Sequence, residues 1–335
     1  MRSDRRRHTT SGSSHLAAAS LARMLEHRSI VTAIVAGAFL CALAAGCTRT
    51  GVTSSPTTEP THSASPTAVP STETPTPTSR PTPSPPKKIP RTFDPKNFGA
   101  SMTDVNRWVP MVPGIQTVME GFVTVGGRRL PHVRVVTVTD VTKLIDGVRA
   151  VLVLDQDFDG GQLSEQAVDY LAEDEGGNVW YVGSYTEAYE GGRFLSAEDA
   201  WLAGVNGAVP GLFMPAEPMK GTPPYAQTQI PGGETTMALV AKTGQRTCVP
   251  FKCYTDVVVL QEAGAENKYW APGVGGILTE PLLGAAQEIE QLINIRQLSA
   301  KALAELSAEA LRLDRGAVSH APSVFAGSKP ANRER

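Results

Sequence analysis

The sequence predicts a mainly β fold of the α+β kind, a curled antiparallel sheet or open barrel with a helical segment at its C-terminal end. From Asn106 onward, short runs of β-branched and aromatic residues are separated by DG, GG and NG turns, the pattern of strands joined by tight hairpins. Strands do not alternate with helical stretches, which argues against Rossmann and TIM-barrel architectures. After Pro281 the apolar period lengthens to three and four residues, as on the buried face of a helix.

The chain has 335 residues and reads as consecutive segments. Residues 1–46 form an export signal, 47–96 a lipidation site and disordered linker, 97–280 the β domain, 281–315 the helical segment and 316–335 a disordered tail. The roughly 240 residues left for folding can bury about 70–75% of their unfolded surface, so neither a disulfide nor a metal is required for a core. The first 46 residues hold six Arg against one Asp and one Glu, and the remainder of the chain is acidic. With no basic run longer than Lys87-Lys88, that part has no electrostatic footprint for nucleic acid.

Ile30 to Gly46 reads IVTAIVAGAFLCALAAG, 17 residues without a charge, preceded by Glu26, His27 and Arg28 and followed by a polar chain. This is the layout of an export signal. Within it, Leu43-Ala44-Ala45-Gly46-Cys47 resembles a bacterial lipobox, with Ala44 where Leu is usual. The resemblance implies cleavage before Cys47, a diacylglycerol on its thiol, and a domain anchored to the outer face of the cell membrane. An uncleaved anchor and simple secretion compete with it. The 17 apolar residues are at the lower limit for about 30 Å of hydrocarbon, and all three readings place the domain outside the cytoplasm. Met24 would begin a signal of ordinary length, so Met1 and Met24 both stand as starts. Arg5-Arg6-Arg7 lies too far before the apolar run for twin-arginine export.

Residues 51–90 hold 11 of the 26 prolines and 17 Ser or Thr. Such a segment has almost nothing to bury and stays extended and solvated. At about 3.1 Å per residue it reaches on the order of 120 Å. Its composition also resembles that of O-glycosylated stalks, beside which an unmodified spacer stands equally.

Strands are expected over Thr117–Val125, Arg134–Asp140, Arg149–Asp155, Ala167–Glu173, Val179–Ser184, Thr235–Lys242, Asp256–Glu262 and Lys268–Ala271. Alternation is strict in Arg134-Val135-Val136-Thr137-Val138-Thr139. Val151-Leu152-Val153-Leu154 is apolar on both faces, which predicts a central strand. In the helical segment, Ile289, Leu292, Ile293, Leu303, Leu306, Ala310 and Leu313 define an apolar face that would cover the sheet or close one end of a barrel.

Several blocks, among them Asn106-Arg107-Trp108-Val109-Pro110, Gly177-Asn178-Val179-Trp180-Tyr181 and Tyr269-Trp270-Ala271-Pro272-Gly273-Val274-Gly275, resemble those of uncharacterised secreted bacterial proteins with β-rich domains. The resemblance spans about residues 106–280, with Arg107 where such sequences often have Pro. It implies the architecture and assigns no catalytic residue.

Candidate chemistry is sparse. Cys41 falls in the signal and Cys47 in the lipobox, which leaves Cys248 and Cys253. Separated by four residues around Pro250, they are expected to form a small disulfide in an oxidising compartment, against buried thiols or a redox or metal pair. Asp155-Gln156-Asp157-Phe158-Asp159-Gly160 has the opening of a calcium loop. Gln166 occupies its twelfth position, where a bidentate carboxylate belongs, and the flanks are strand-like, so Asp155, Asp157 and Asp159 read first as acids on the solvated face of a hairpin. Glu173-Asp174-Glu175-Gly176-Gly177-Asn178 reads the same way. Glu187, Glu190, Glu198 and Asp199, beside Tyr185, Tyr189 and Trp201, are the carboxylates a glycosidase-like cleft would use. His132, after Pro131 in an expected turn, and His320, beyond the helix, read as surface residues. The sequence has no GxSxG, no HExxH and no Cys-His pair in a recognisable context, which leaves a Ser-His-Asp site open without a motif to mark it, and Gly126-Gly127 and Gly275-Gly276 read as turn or bulge glycines.

The expected function is therefore non-catalytic. The chain would bind or carry an apolar or envelope-derived ligand, with no cofactor unless calcium. The alternatives are an extracytoplasmic hydrolase of a wall polymer and a structural or interaction lipoprotein.

Overall fold

The computed structural model describes residues 89–90, 92–99, 106–197, 199–233, 235–282 and 288–334. The export signal, Cys47 and nearly all of the linker lie outside the described residues. The strands are β1 (Ile115–Val125), β2 (Arg128–Ile145), β3 (Val148–Asp159), β4 (Gln162–Glu173), β5 (Val179–Glu190), β6 (Arg193–Ser196), β7 (Ala200–Leu202), β8 (Val209–Met214), β9 (Tyr225–Ala226) and β10 (Thr228–Gln229). They continue with β11 (Met237–Cys248), β12 (Cys253–Glu262), β13 (Glu266–Ala271), β14 (Gly275–Pro281), β15 (Glu288–Gln297) and β16 (Asn332–Arg333). Helix α1 (Ala300–His320) and the single turn α2 (Pro322–Phe325) lie between β15 and β16.

The sheet order is β10-β8-β5-β4-β3-β2-β1-β15-β14-β13-β12-β11-β9, an antiparallel and nearly closed barrel-like sheet with a seam. Hairpins of two residues build half of it. Asp159 ends β3 and Gln162 begins β4, and Gly160 and Gly161 between them take φ of 59° and 82°, the left-handed pair that the twist of a two-residue hairpin requires. Asp146 and Gly147 do the same between β2 and β3. At the seam the short strands β9 and β10 follow one another along the chain, β9 pairing with β11 and β10 with β8. Gln227 between them donates to Phe213 O at 3.2 Å and Glu262 Oε1 at 3.0 Å. Gly211 faces it, where a Cβ would lie 1.9 Å from Gln227 O.

The expected strands are all present, most of them longer than expected. The stretch read as a helix over 281–315 differs. Ile289, Leu292 and Ile293 lie in strand β15, paired along nine residues with β1, and the helix begins only at Ala300, where Ser299 Oγ accepts from Ala302 N–H. Ile289, Ile293 and Ile295 are β-branched, and the free edge of β1 supplies ladder partners, so tertiary pairing outweighs an ambiguous period. The tail is not structureless either. Helix α1 runs to His320, and β16 pairs Asn332 with Thr142 and Arg333 with Val141.

Helix α1 buries Ser307, Ala310, Leu313, Asp314 and Ala317 on the outer face of β2 to β5. There Tyr170 and Tyr185 pack around Phe325 of α2, with ring centroids 6.3 and 5.7 Å away. Two of the recurring blocks prove to be joints. Asn106 Oδ1 accepts from the Trp108 and Val109 N–H groups at 2.9 and 3.1 Å, while its Nδ2 donates to Gly177 O at 2.8 Å. Asp174, buried rather than solvated, accepts from Asn178 N–H and Trp180 Nε1.

Cys248 and Cys253 face each other at the β11–β12 turn and are joined by a disulfide, with Cα atoms 3.9 Å apart. A loop this short constrains the unfolded chain by about 2 kcal/mol. Cys253→Ser is expected to lower urea stability by about that amount. The same loss should follow treatment of the native protein with a reductant; an unchanged midpoint in both would contradict it.

Candidate functional site

The inner face of the curled sheet carries a charged row that no single stretch of sequence discloses. Ladder pairing places Lys268, Thr279, Glu290, Gly121, His132 and Asp159 side by side across β13, β14, β15, β1, β2 and β3. The next row sets Arg134 beside Asp157, and the one after sets Val136 beside Asp155. Because side chains alternate along a strand, His132 and Arg134 share a face on β2, as do Asp155, Asp157 and Asp159 on β3.

Gly121 makes the centre of this arrangement possible. It stands between Glu290 and His132 in the row, and a Cβ there would fall 1.7 Å from Ile289 O. With no side chain between them, the Glu290 carboxylate reaches His132 across the intervening strand, Oε1 to Nε2 at 3.3 Å. His132 is 4% exposed and Glu290 0%. On the other side of the ring, His132 Nδ1 lies 2.7 Å from Asp159 Oδ1. A carboxylate only accepts, so this contact needs a proton on Nδ1, and it turns Nε2 toward Glu290 Oε1 and toward Asp157 Oδ1, 3.6 Å away. Arg134 grips Asp155 through two nitrogens, Nε at 3.0 Å and Nη2 at 2.5 Å, and Nη1 stands 3.5 Å from Glu290 Oε2.

The electrostatics follow from crowding. Burial, then the charge of Asp155, pushes the Asp157 carboxyl up to about 9, with Arg134 opposing and Glu165 and Glu290 adding. Burial would lower Arg134, but the charges of Asp155 and Glu290 raise it well above its ordinary value. Asp169 is raised by burial and by Asp155, against hydrogen bonds from Tyr181 at 2.5 Å and Ser184 at 3.1 Å. Burial would likewise lower Lys268, yet its ion pairs with Glu262 at 2.9 Å and Glu266 at 3.1 Å hold it raised. Beside the charges, Tyr181, Phe213 and Trp270 meet from β5, β8 and β13 with centroids 5.9 and 5.6 Å apart. The walls of the sheet therefore touch here through aromatic rings.

Several expectations are corrected. His132 is not a surface residue. Pro131 pairs with Phe122 inside the β1–β2 ladder, and the turn lies at Gly126-Gly127. Asp155, Asp157 and Asp159 do belong to a hairpin strand, but on its inner, largely buried face. They do not converge as a calcium loop would, since Asp155 is held by Arg134 and Asp159 by His132. His320 ends helix α1, with Nδ1 2.8 Å from Tyr185 Oη and its ring stacked on Phe194 at 4.3 Å.

Among the described residues the glycosidase-like set does not assemble. Glu187 lies under α1, accepting from Tyr185, Tyr189 and Arg312. Burial would raise its carboxyl, but those hydrogen bonds and the Arg312 charge leave it below the usual range, the opposite of what a general acid needs. Trp201 is paired with Ser184 on the other face, Glu190 is exposed, and Glu198 lies outside the described residues.

Sequence reasoning missed Arg134, Glu290, Gly121 and Lys268. The period-two spacing of His132 with Arg134 and of Asp155, Asp157 and Asp159 was a readable signal of one charged face. Glu290 had none, because its segment carries a helical period.

No family model matches the chain, and no curated protein matches it. Among solved structures, it is similar to a protein of Bacteroides fragilis NCTC 9343 described as exported, with a YmcC-like fold. The identity is 13%, over 57% of this chain and 99% of that one, with a TM-score of 0.32. It is also similar to a protein of Parabacteroides distasonis ATCC 8503 described as a lipoprotein, at 11% identity over 58% of this chain and all of that one, TM-score 0.33.

Proposed function

We propose that the chain is an exported bacterial envelope lipoprotein, held at the outer face of the cell membrane by acyl chains on Cys47, whose β domain binds a polar envelope component without transforming it. One observation carries the reading. The uncharged run from Ile30 to Gly46 ends in the lipobox-like Leu43-Ala44-Ala45-Gly46-Cys47 and gives way to a proline-rich tether. The disulfide at Cys248 and Cys253 supports an oxidising compartment.

A polar ligand is favoured over an apolar one because the inner face carries charged groups and is crossed by the Tyr181–Phe213–Trp270 contacts. A surface depression of about 410 Å³ has a mixed lining, with Asp174, Glu175 and Glu217 beside Ile89, Pro90 and Ala216. A hydrolase has less support, since its strongest carboxylate candidate, Glu187, is locked under α1.

Cys47→Ser should abolish incorporation of labelled fatty acid and leave residues 1–46 attached, read by metabolic labelling and by the mass of the chain. Wild-type protein in the cytosol, or a Cys47→Ser variant that is acylated and processed like the wild type, would overturn the reading.

A further inference from the structure

We propose that His132, Asp157 and Glu290 form a binding site for a divalent first-row transition ion of the zinc class. This goes beyond the anchoring argument and holds whether or not Cys47 is acylated. The first support is geometric. His132 Nε2 lies 3.3 Å from Glu290 Oε1 and 3.6 Å from Asp157 Oδ1, and one donor atom from each of the three residues falls within 4.8 Å of the others. Tetrahedral ligation at about 2.0–2.2 Å from an ion places donors roughly 3.3–3.6 Å apart, so two edges of the coordination figure already have the right length.

The second support is the state of the donors. Asp159 on Nδ1 orients the imidazole so that Nε2 faces Glu290 Oε1 and Asp157 Oδ1, the outer-shell carboxylate–histidine arrangement of metal sites, and an ion would take the place of any proton that Nε2 shares with Glu290. Asp157 Oδ1 is a buried carboxylate oxygen that takes no hydrogen bond, an arrangement that is costly in a fold unless something else meets it. Arg134 is committed to Asp155 and touches Glu290 through Oε2, which leaves Oε1 directed at His132.

The third support is charge. Asp155, Asp159 and Glu290 crowd with the Asp157 carboxyl round one guanidinium and one imidazole, more acidic groups than cations to meet them in a largely buried cluster, an imbalance that a divalent cation offsets. All three donors stand on paired strands, which hold a site more rigidly than loops do. One imidazole with two carboxylates suits zinc-class ions. A calcium site would need six to eight oxygens. A fourth position remains for water or a ligand atom.

The competing account is a protonated His132 serving as the cation of a purely structural ion-pair cluster. The two separate by experiment on the full chain, stripped with chelator and titrated with Zn²⁺ and Co²⁺. We expect one zinc per chain by elemental analysis, a Co²⁺ visible spectrum of tetrahedral intensity, and a melting temperature lowered by chelator. Asp157→Asn and His132→Gln should each weaken Zn²⁺ binding at least tenfold, and Asp159→Asn about 10–100-fold. Asp256→Asn, at an exposed pair with Arg107, should leave it unchanged. Should the inner-face variants fail to fold, ¹⁵N spectra of the wild-type imidazoles decide the matter. Zinc must shift the His132 Nε2 resonance to a metal-bound value. A His132 that keeps protons on both nitrogens as zinc is added, or zinc binding that survives His132→Gln, would overturn the proposal.

Discussion

Replacing Asp314 by Ala is expected to cost about 3–5 kcal/mol, the range for breaking a buried ion pair by removing one partner, and to release helix α1 from the sheet. Asp314 Oδ1 accepts from Lys143 Nζ at 2.7 Å and from Tyr170 Oη at 2.7 Å, and Oδ2 accepts from Ala331 N–H at 3.1 Å. The Lys143 side chain is 1% exposed, so the variant strands an ammonium in the interior and removes the acceptor that ties the C-terminal segment down. Replacing both partners together, as Lys143→Met with Asp314→Leu, should cost less than the single change, because no charge is left unpaired. Urea denaturation gives both values. A single-variant loss within about 1 kcal/mol, the ordinary effect of a point substitution, would show that the pair does not clasp the helix.

Gly121→Val is expected to be the most damaging single change on the inner face. The space, not the conformation, requires glycine there. A Cβ would meet Ile289 O at 1.7 Å and Ile289 C at 2.6 Å, and backbone cannot rotate away as a side chain can. Strands β1 and β15 must part, at a cost above the roughly 1–3 kcal/mol of ordinary overpacking. Parting them also draws Glu290 away from His132. Loss of cooperative unfolding, or a drop in stability greater than that of Cys253→Ser, is the expected outcome by urea titration. A variant as stable as the wild type would mean that β1 and β15 do not pair in this register.

The hairpins from β1 to β5 were legible because each turn announces itself by a glycine pair or Asp-Gly, where positive φ is required. The central burial of β3 was legible in Val151-Leu152-Val153-Leu154. Strand β15 was not, since Ile289, Leu292 and Ile293 also satisfy a helical spacing, and only the vacant edge of β1 decides between the two. That error hid Glu290. His132 was misplaced for a related reason: Pro131 beside it signals a turn locally, while the ladder carries the chain straight through. The inner site joins β2, β3 and β15, and a sequence read one segment at a time shows its parts without showing that they meet.

The most direct test of the envelope assignment is the mass of the mature chain extracted from its native membrane. The assignment predicts a polypeptide that starts at Cys47 with a diacylglycerol on its sulfur and has lost residues 1–46. A chain that begins at Met1 or Met24, keeps the 30–46 stretch, or carries an unmodified Cys47 thiol would contradict it.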